Sequence, residues 1–166
     1  EMNIFVLDKC PVKSAQFQYD KHVVKMILES AQMLCSVYHE HNIGNVPYKK
    51  THHNHPCSVW ARTDMDNFNW LVDHALALCK EYTHRYDKTH KSQSVIEWCR
   101  ENAFKLSIPR VGITPFAQAM PDEYKNDNPV QAYRSYYIAT KLNNNPKWTN
   151  RDMPTIFKSQ QENGSN

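Results

Sequence analysis

Glycine is scarce in this 166-residue chain, with only three residues. Phosphate-cradling loops of the G-x-G-x-x-G and Walker A types need clustered glycines, and neither motif occurs; G-x-S-x-G and H-E-x-x-H are missing as well. Nucleotide-cofactor and standard hydrolase chemistries therefore lose their usual support. Long apolar runs are absent too. The longest candidate, Val23 to Val37, is interrupted by Lys25, Glu29, Ser30 and Gln32, so nothing supplies the roughly 18 to 20 residues a membrane span needs. Met2 to Leu7 has no basic flank and too short an apolar stretch for a signal peptide, and Met2 reads as the native start with Glu1 an addition. The five cysteines are odd in number and none forms C-x-x-C. Cys35, Cys79 and Cys99 fall in helical apolar stripes, so buried reduced thiols in a cytoplasmic protein are expected.

What is present is a globular composition, with 22% charged and 40% hydrophobic residues. That mixture excludes collagen-like and globally disordered chains. Val23, Val24, Ile27, Leu28, Ala31, Leu34, Cys35 and Tyr38 recur at 3.6-residue spacing and predict a long amphipathic helix from Asp20, ended by Gly44 and Pro47. His22, Lys25, Glu29, Gln32 and Ser36 fall on its opposite, polar face. Phe68, Leu71, Val72, Ala75, Leu78, Cys79 and Tyr82 predict a second such helix, with N-cap chemistry in Thr63-Asp64-Met65-Asp66 and Asp66 in the capping-box position. A third helix is expected over Ser92 to Lys105, a long ordered loop over Ser107 to Asn128, and a last helix from Asn128-Pro129 to about Leu142. Asn3 to Leu7 suits one short strand or an extended arm. The fold class is thus mainly α: a compact single-domain helical bundle over residues 1–158, with a polar tail over 159–166.

Three constellations carry chemical potential. His22 and Glu29 lie two turns apart on one helix face, and an imidazole and a carboxylate so placed can share proton transfer, with Lys25 able to pair with Glu29. The same residues also suit an ordinary solvated face. Tyr48-Lys49-Lys50-Thr51-His52-His53-Asn54-His55-Pro56-Cys57, followed by Trp60 and Arg62, suits either a transition metal at His52, His53 and His55 or a recognition loop. The spacing matches no structural zinc pattern, whereas cations beside aromatic faces suit phosphates and bases. Tyr133-Arg134-Ser135-Tyr136-Tyr137 repeats that composition; as a helix it would bury Tyr133 and Tyr137 and turn Arg134 and Tyr136 outward.

DKHVVKMILE resembles the first-helix motif of the endonuclease V-type pyrimidine-dimer DNA glycosylases of phages, in which the catalytic Glu follows a His by seven residues. YKKTHHNHPCSVWARTDMDNFNWL is similar to that family's Tyr/Asn-His-Pro region, and Ser135-Tyr136-Tyr137 to its C-terminal aromatic stretch. The resemblance implies a helical, cofactor-independent DNA glycosylase, working in a host cytoplasm on double-stranded DNA with a displaced base and no obligatory protein partner. It implies Glu29 as acid/base, the Met2 amine as nucleophile of an imine and AP-lyase route, and His22 near phosphate or the damaged site. Lys25, Tyr48, Lys49, His53, His55, Trp60 and Arg62 would line the DNA, with Arg134 and Tyr137 on the far wall. Two positions depart from the family: Leu28 replaces the arginine beside the Glu, and Asn3 follows Met2 where a small residue would permit methionine removal. Water activated by Glu29 is the reaction that needs no amine. The rival functions are a nucleotide or small-molecule enzyme and a metal-dependent nuclease on His52 to His55.

The overall charge of +3 is unevenly spread. Residues 41–62 hold Lys49, Lys50 and Arg62 with no acid. Residues 128–158 hold Arg134, Lys141, Lys147, Arg151 and Lys158 against Asp152. Two basic, aromatic-rich islands thus stand on an acidic background, and the expectation is that they share a face.

Overall fold

In a computed structural model the described residues are 2–158; the tail expected over 159–166 lies outside them. The elements are α1 (Pro11–Phe17), α2 (Asp20–Glu40), α3 (Pro56–Thr63), α4 (Met65–Tyr86), α5 (Gln93–Glu101) and α6 (Pro129–Tyr136), with 3-10 turns at Ala103–Lys105 and Asp122–Tyr124. A π-helical turn, Tyr137–Lys141, continues directly from α6. No β-strand occurs among the described residues, and residues 2–7 form an extended arm.

The centre is α4, against which α1, α2, α3 and α5 all pack. Its start is set by Asp64, whose carboxylate accepts the Asp66 N–H at 2.7 Å. The N-cap is therefore Asp64 and not Thr63, and Asp66 lies at the second helical position, so no capping box forms. Asn128 caps α6 as anticipated, accepting from Val130 and Gln131. The third helix stops at Glu101 and the chain tightens into the 3-10 turn.

The main correction concerns α2. Its polar face is only partly solvated: His22, Glu29 and Ser36 are buried and Lys25 stays exposed, while Val24 and Leu28 from the supposed core stripe are partly exposed. The N-terminal arm and the α6–π segment cover the side the sequence pattern assigns to water. Tyr136, anticipated to face outward, is buried as well, alongside Tyr133 and Tyr137. A helix wrapped by its own chain on two sides buries polar groups, and each must then find partners.

Candidate active site

The arm is held over α2 in an unusual conformation. Phe5 is buried with φ +57°, a region costly for a bulky residue. Several hydrogen bonds enforce it. The Asn3 side-chain oxygen accepts the N–H groups of Ile4 (2.8 Å) and Phe5 (3.1 Å), and Gln18 Nε2 donates to the carbonyls of both residues. Ser14 Oγ donates to Phe5 O and accepts from Leu7 N–H. Arg134 fixes the end of the arm, donating to Leu7 O and to Asp8 at 2.9 Å.

This arrangement lays the arm against both His22 and Glu29 of the first constellation. Asn3 N–H donates to Glu29 Oε1 at 2.9 Å, and Lys25 Nζ stands 3.9 Å from Glu29 Oε2. Glu29 keeps 6% exposure and His22 7%. Phe5 stacks on the His22 ring with centroids 4.2 Å apart. His22 Nδ1 is 2.8 Å from the Tyr137 hydroxyl, which also accepts Tyr19 N–H. A phenol has one proton to give; given to Nδ1, it leaves neutral His22 with its own proton on Nε2. Burial pushes the His22 pKa down to about 3, with Lys141 and Lys25 adding to the effect. His22 is therefore neutral near pH 7.

The remaining predicted residues are placed differently. Met2 is buried, and the backbone nitrogen at Glu29 belongs to Asn3. The loop before α3 runs back along α2: the Tyr48 carbonyl meets His39 and Thr51 meets Ser36. Tyr48 and Lys49 thus lie about 15 Å along the helix from Glu29, at 1.5 Å per residue. Lys50 pairs with Glu40 at 2.8 Å. His55 Nδ1 caps α3 by accepting Cys57 N–H, His52 Nδ1 contacts Thr51 Oγ1, and Arg62 donates to the His53 carbonyl. Among the described residues no group of three or more His, Cys, Asp or Glu is arranged to hold a metal ion. Trp60 is buried against Trp70 and Phe116 and donates to Thr114 O, and Tyr137 lies behind His22; neither ring offers a face to a base in this conformation.

The second basic island is partly neutralised within the fold, Arg134 by Asp8 and Arg151 by Glu81. Lys141, a member of that island not singled out as a site residue from the sequence, lies against the arm. Its ammonium lies 5.2 Å from the Tyr136 ring centroid and 5.8 Å from that of Phe5, beside His22. The π turn, closed by Leu142 N–H on Tyr137 O, sets this register. Such turns recur at functional sites, but no residue pattern in Tyr137–Lys141 announces one.

The fold thus defines a small helical protein with a buried carboxylate and a buried imidazole on one face of α2 beneath its N-terminal arm. The family model described as pyrimidine dimer DNA glycosylase matches residues 2–94, and the chain belongs to that family. The matched part contains Asn3, His22, Lys25 and Glu29. No curated protein and no solved structure gives a significant match.

Proposed function

We propose that the protein removes a damaged pyrimidine from double-stranded DNA, turning the nucleotide out of the stack, with Glu29 as general acid/base. The observation that carries this reading is the 2.9 Å contact between Asn3 N–H and the buried Glu29 carboxylate. Family membership supplies the reaction class. Enzymes acting on a base inside a duplex need it extruded. Enzymes of this kind need cations for the backbone as well, and Lys25 and Lys141 supply them beside Glu29 and the arm. Neutral His22 donates from Nε2 to a sugar or phosphate oxygen, its ring fixed by Tyr137 and Phe5.

The nitrogen at Glu29 decides the route. In a chain carrying Met2 it is an amide, whose lone pair is delocalised and does not attack carbon. Glu29 then takes a proton from water, which adds to C1′ as the base leaves with the glycosidic electron pair. In a chain processed to Asn3 the same nitrogen is an α-amine. It attacks C1′, the base departs, and the ring-opened imine loses a C2′ proton and eliminates the 3′ phosphate. The test uses chains starting at Met2 and at Asn3 on duplexes with pyrimidine dimers or abasic sites, with and without borohydride. Base release by both, lost in Glu29→Gln, with a trapped adduct only for the Asn3 chain, is the expected result. Absence of base release from every damaged duplex would sink the reading.

A further inference from the structure

The nitrogen facing Glu29 is located by the side chain of its own residue, Asn3. That carboxamide is committed at both ends: Oδ1 accepts the N–H groups of Ile4 and Phe5, and Nδ2 donates to Ala119 O at 2.8 Å. The backbone N–H of the same residue goes to Glu29. A carboxamide bound at both ends orients the peptide that carries it, so the Asn3 nitrogen stands where Ala119 lets it stand. Ala119 lies in a segment without regular secondary structure, Thr114 to Met120, and Pro115 and Pro121 remove backbone freedom from it. Asn67 clamps the start of this segment, accepting Thr114 N–H and donating to Thr114 Oγ1, and Trp60 Nε1 donates to Thr114 O at 3.1 Å.

The other end is held by one residue of α6. The Tyr133 hydroxyl donates to Ala117 O at 2.7 Å and accepts Ala119 N–H at 3.1 Å. Gln118 between them exchanges two hydrogen bonds with Asn126. Tyr133 is fully buried, its ring edge-on to Phe5 with centroids 6.2 Å apart. Burial pushes its pKa well above the ordinary tyrosine value, so the phenol keeps the proton it gives to Ala117. The Cys57 thiol, at the start of α3, lies against the same hydroxyl and the Ile4 backbone, near enough to Glu29 to feel its charge. Packing alone asks only for the aromatic ring, which phenylalanine also has. The hydroxyl adds a two-point grip on the segment that holds Asn3, and a buried hydroxyl is kept where its bonds are made.

We infer that Tyr133 is a positioning residue for base removal: its hydroxyl sets Ala119, Ala119 sets the Asn3 carboxamide, and Asn3 presents its backbone nitrogen to Glu29. The role of Glu29 in this chain of contacts rests on the glycosylase reading. The contacts themselves serve both routes, since the same side chain places the nitrogen as an amide or as the α-amine of a chain processed to Asn3. Misplacing reacting groups by about 1 Å costs about a hundredfold in rate, and that sets the scale of what the hydroxyl secures.

The test compares the full-length protein with its Tyr133→Phe, Asn3→Ala and doubly substituted variants on duplexes holding a pyrimidine dimer. Tyr133→Phe should lower kcat about 10- to 100-fold with KM unchanged. Asn3→Ala should lower it comparably, and the double variant should be no slower than the slower single one, because both act at one point. Tyr133→Phe should cost nothing further in a Glu29→Gln background. Amide hydrogen exchange reads the placement without turnover. In the chain carrying Met2, Asn3 N–H should exchange about tenfold faster in Tyr133→Phe, with protection in α4 unchanged. Tyr133→Phe keeps the ring and Asn3→Ala the backbone nitrogen, so whichever variant folds tests the inference by itself. Full kcat in a folded variant, losses that multiply in the double one, or unchanged exchange at Asn3 would overturn it. A native protein that releases no base would overturn the glycosylase reading instead. Faster exchange at Asn3 in Tyr133→Phe would then leave the link from Tyr133 to the nitrogen standing.

Discussion

Glu29 on α2 and Glu81 on α4 are both buried glutamates, yet their surroundings make them opposites. Glu81 is gripped by two guanidinium groups: Arg85 Nε at 2.9 Å from Oε1, and Arg151 on both oxygens. Arg85 continues to Asp20 and to the Gln16 carbonyl, tying α4 to α1 and α2. Burial alone would raise the Glu81 pKa, but hydrogen bonds from Arg151 and Arg85 outweigh it and hold the carboxyl below its ordinary value. Glu29 faces the Asn3 backbone nitrogen and a mostly exposed lysine at 3.9 Å. Rigid forks on every side make a rivet. On the proposed reading, contacts with a backbone nitrogen near the chain start and a flexible ammonium suit a carboxylate that exchanges protons. Burial by itself does not separate the two; the kind of partner does.

The contrast breaks most visibly if Glu29 proves structural. Glu29→Gln keeps an acceptor for Asn3 N–H, so base release should fall about 10²- to 10⁴-fold while urea unfolding stays within about 1 kcal/mol of the parent. Glu81→Ala should do the reverse. Leaving Arg85 buried with Asp20 as its remaining acid costs about 3 kcal/mol, and the rate per folded molecule should hold; a catalytic defect in the folded variant would erase the distinction. A smaller effect lies in pH dependence. Burial lowers His22 to about 3 and His74 to about 4, whereas unfolded histidine titrates near 6.5. Their neutral forms therefore stabilise fully above that value, and the gain is lost as pH falls, by up to about 1.4 kcal/mol per unit for each. His22→Gln should remove its half of that slope between pH 6.5 and 4.5, while the Glu81 contribution is lost only at lower pH. Smallest is Lys25→Ala, which should weaken duplex binding a few-fold and reduce the logarithmic salt slope by about one.

Much of this was legible in sequence where the signal is local. The 3.6-residue stripes located α2 and α4, and the seven-residue interval between His22 and Glu29 placed both on one face. Failures fall where distant segments decide. Nothing near His22 says that Tyr137, 115 residues away, will bind its ring, or that Asn3 will reach Ala119 across 116 residues. The C-terminal basic island looked like a DNA surface because Asp8 and Glu81, which neutralise Arg134 and Arg151, lie far along the chain. Trp60 read as a stacking platform because composition does not reveal that Phe116 and Trp70 will cover it. Polar periodicity predicted a wet face on α2; the arm that dries it is too short and irregular to show a pattern.

The bonds from Asn3 to Ala119 and from His22 to Tyr137 also order events in time. During translation, at about 5 to 20 residues per second, Asn3 waits roughly 7 to 27 s before residue 137 has even been added. Until then Tyr137 cannot lock the imidazole, and the arm lacks the Arg134 tie that closes it over the helix. A nascent chain thus lacks the Tyr137 and Arg134 contacts of the arm and His22 until its last quarter has been made. The familial stretch 2–94 by itself would likewise carry His22 and Glu29 without Tyr137 or Arg134.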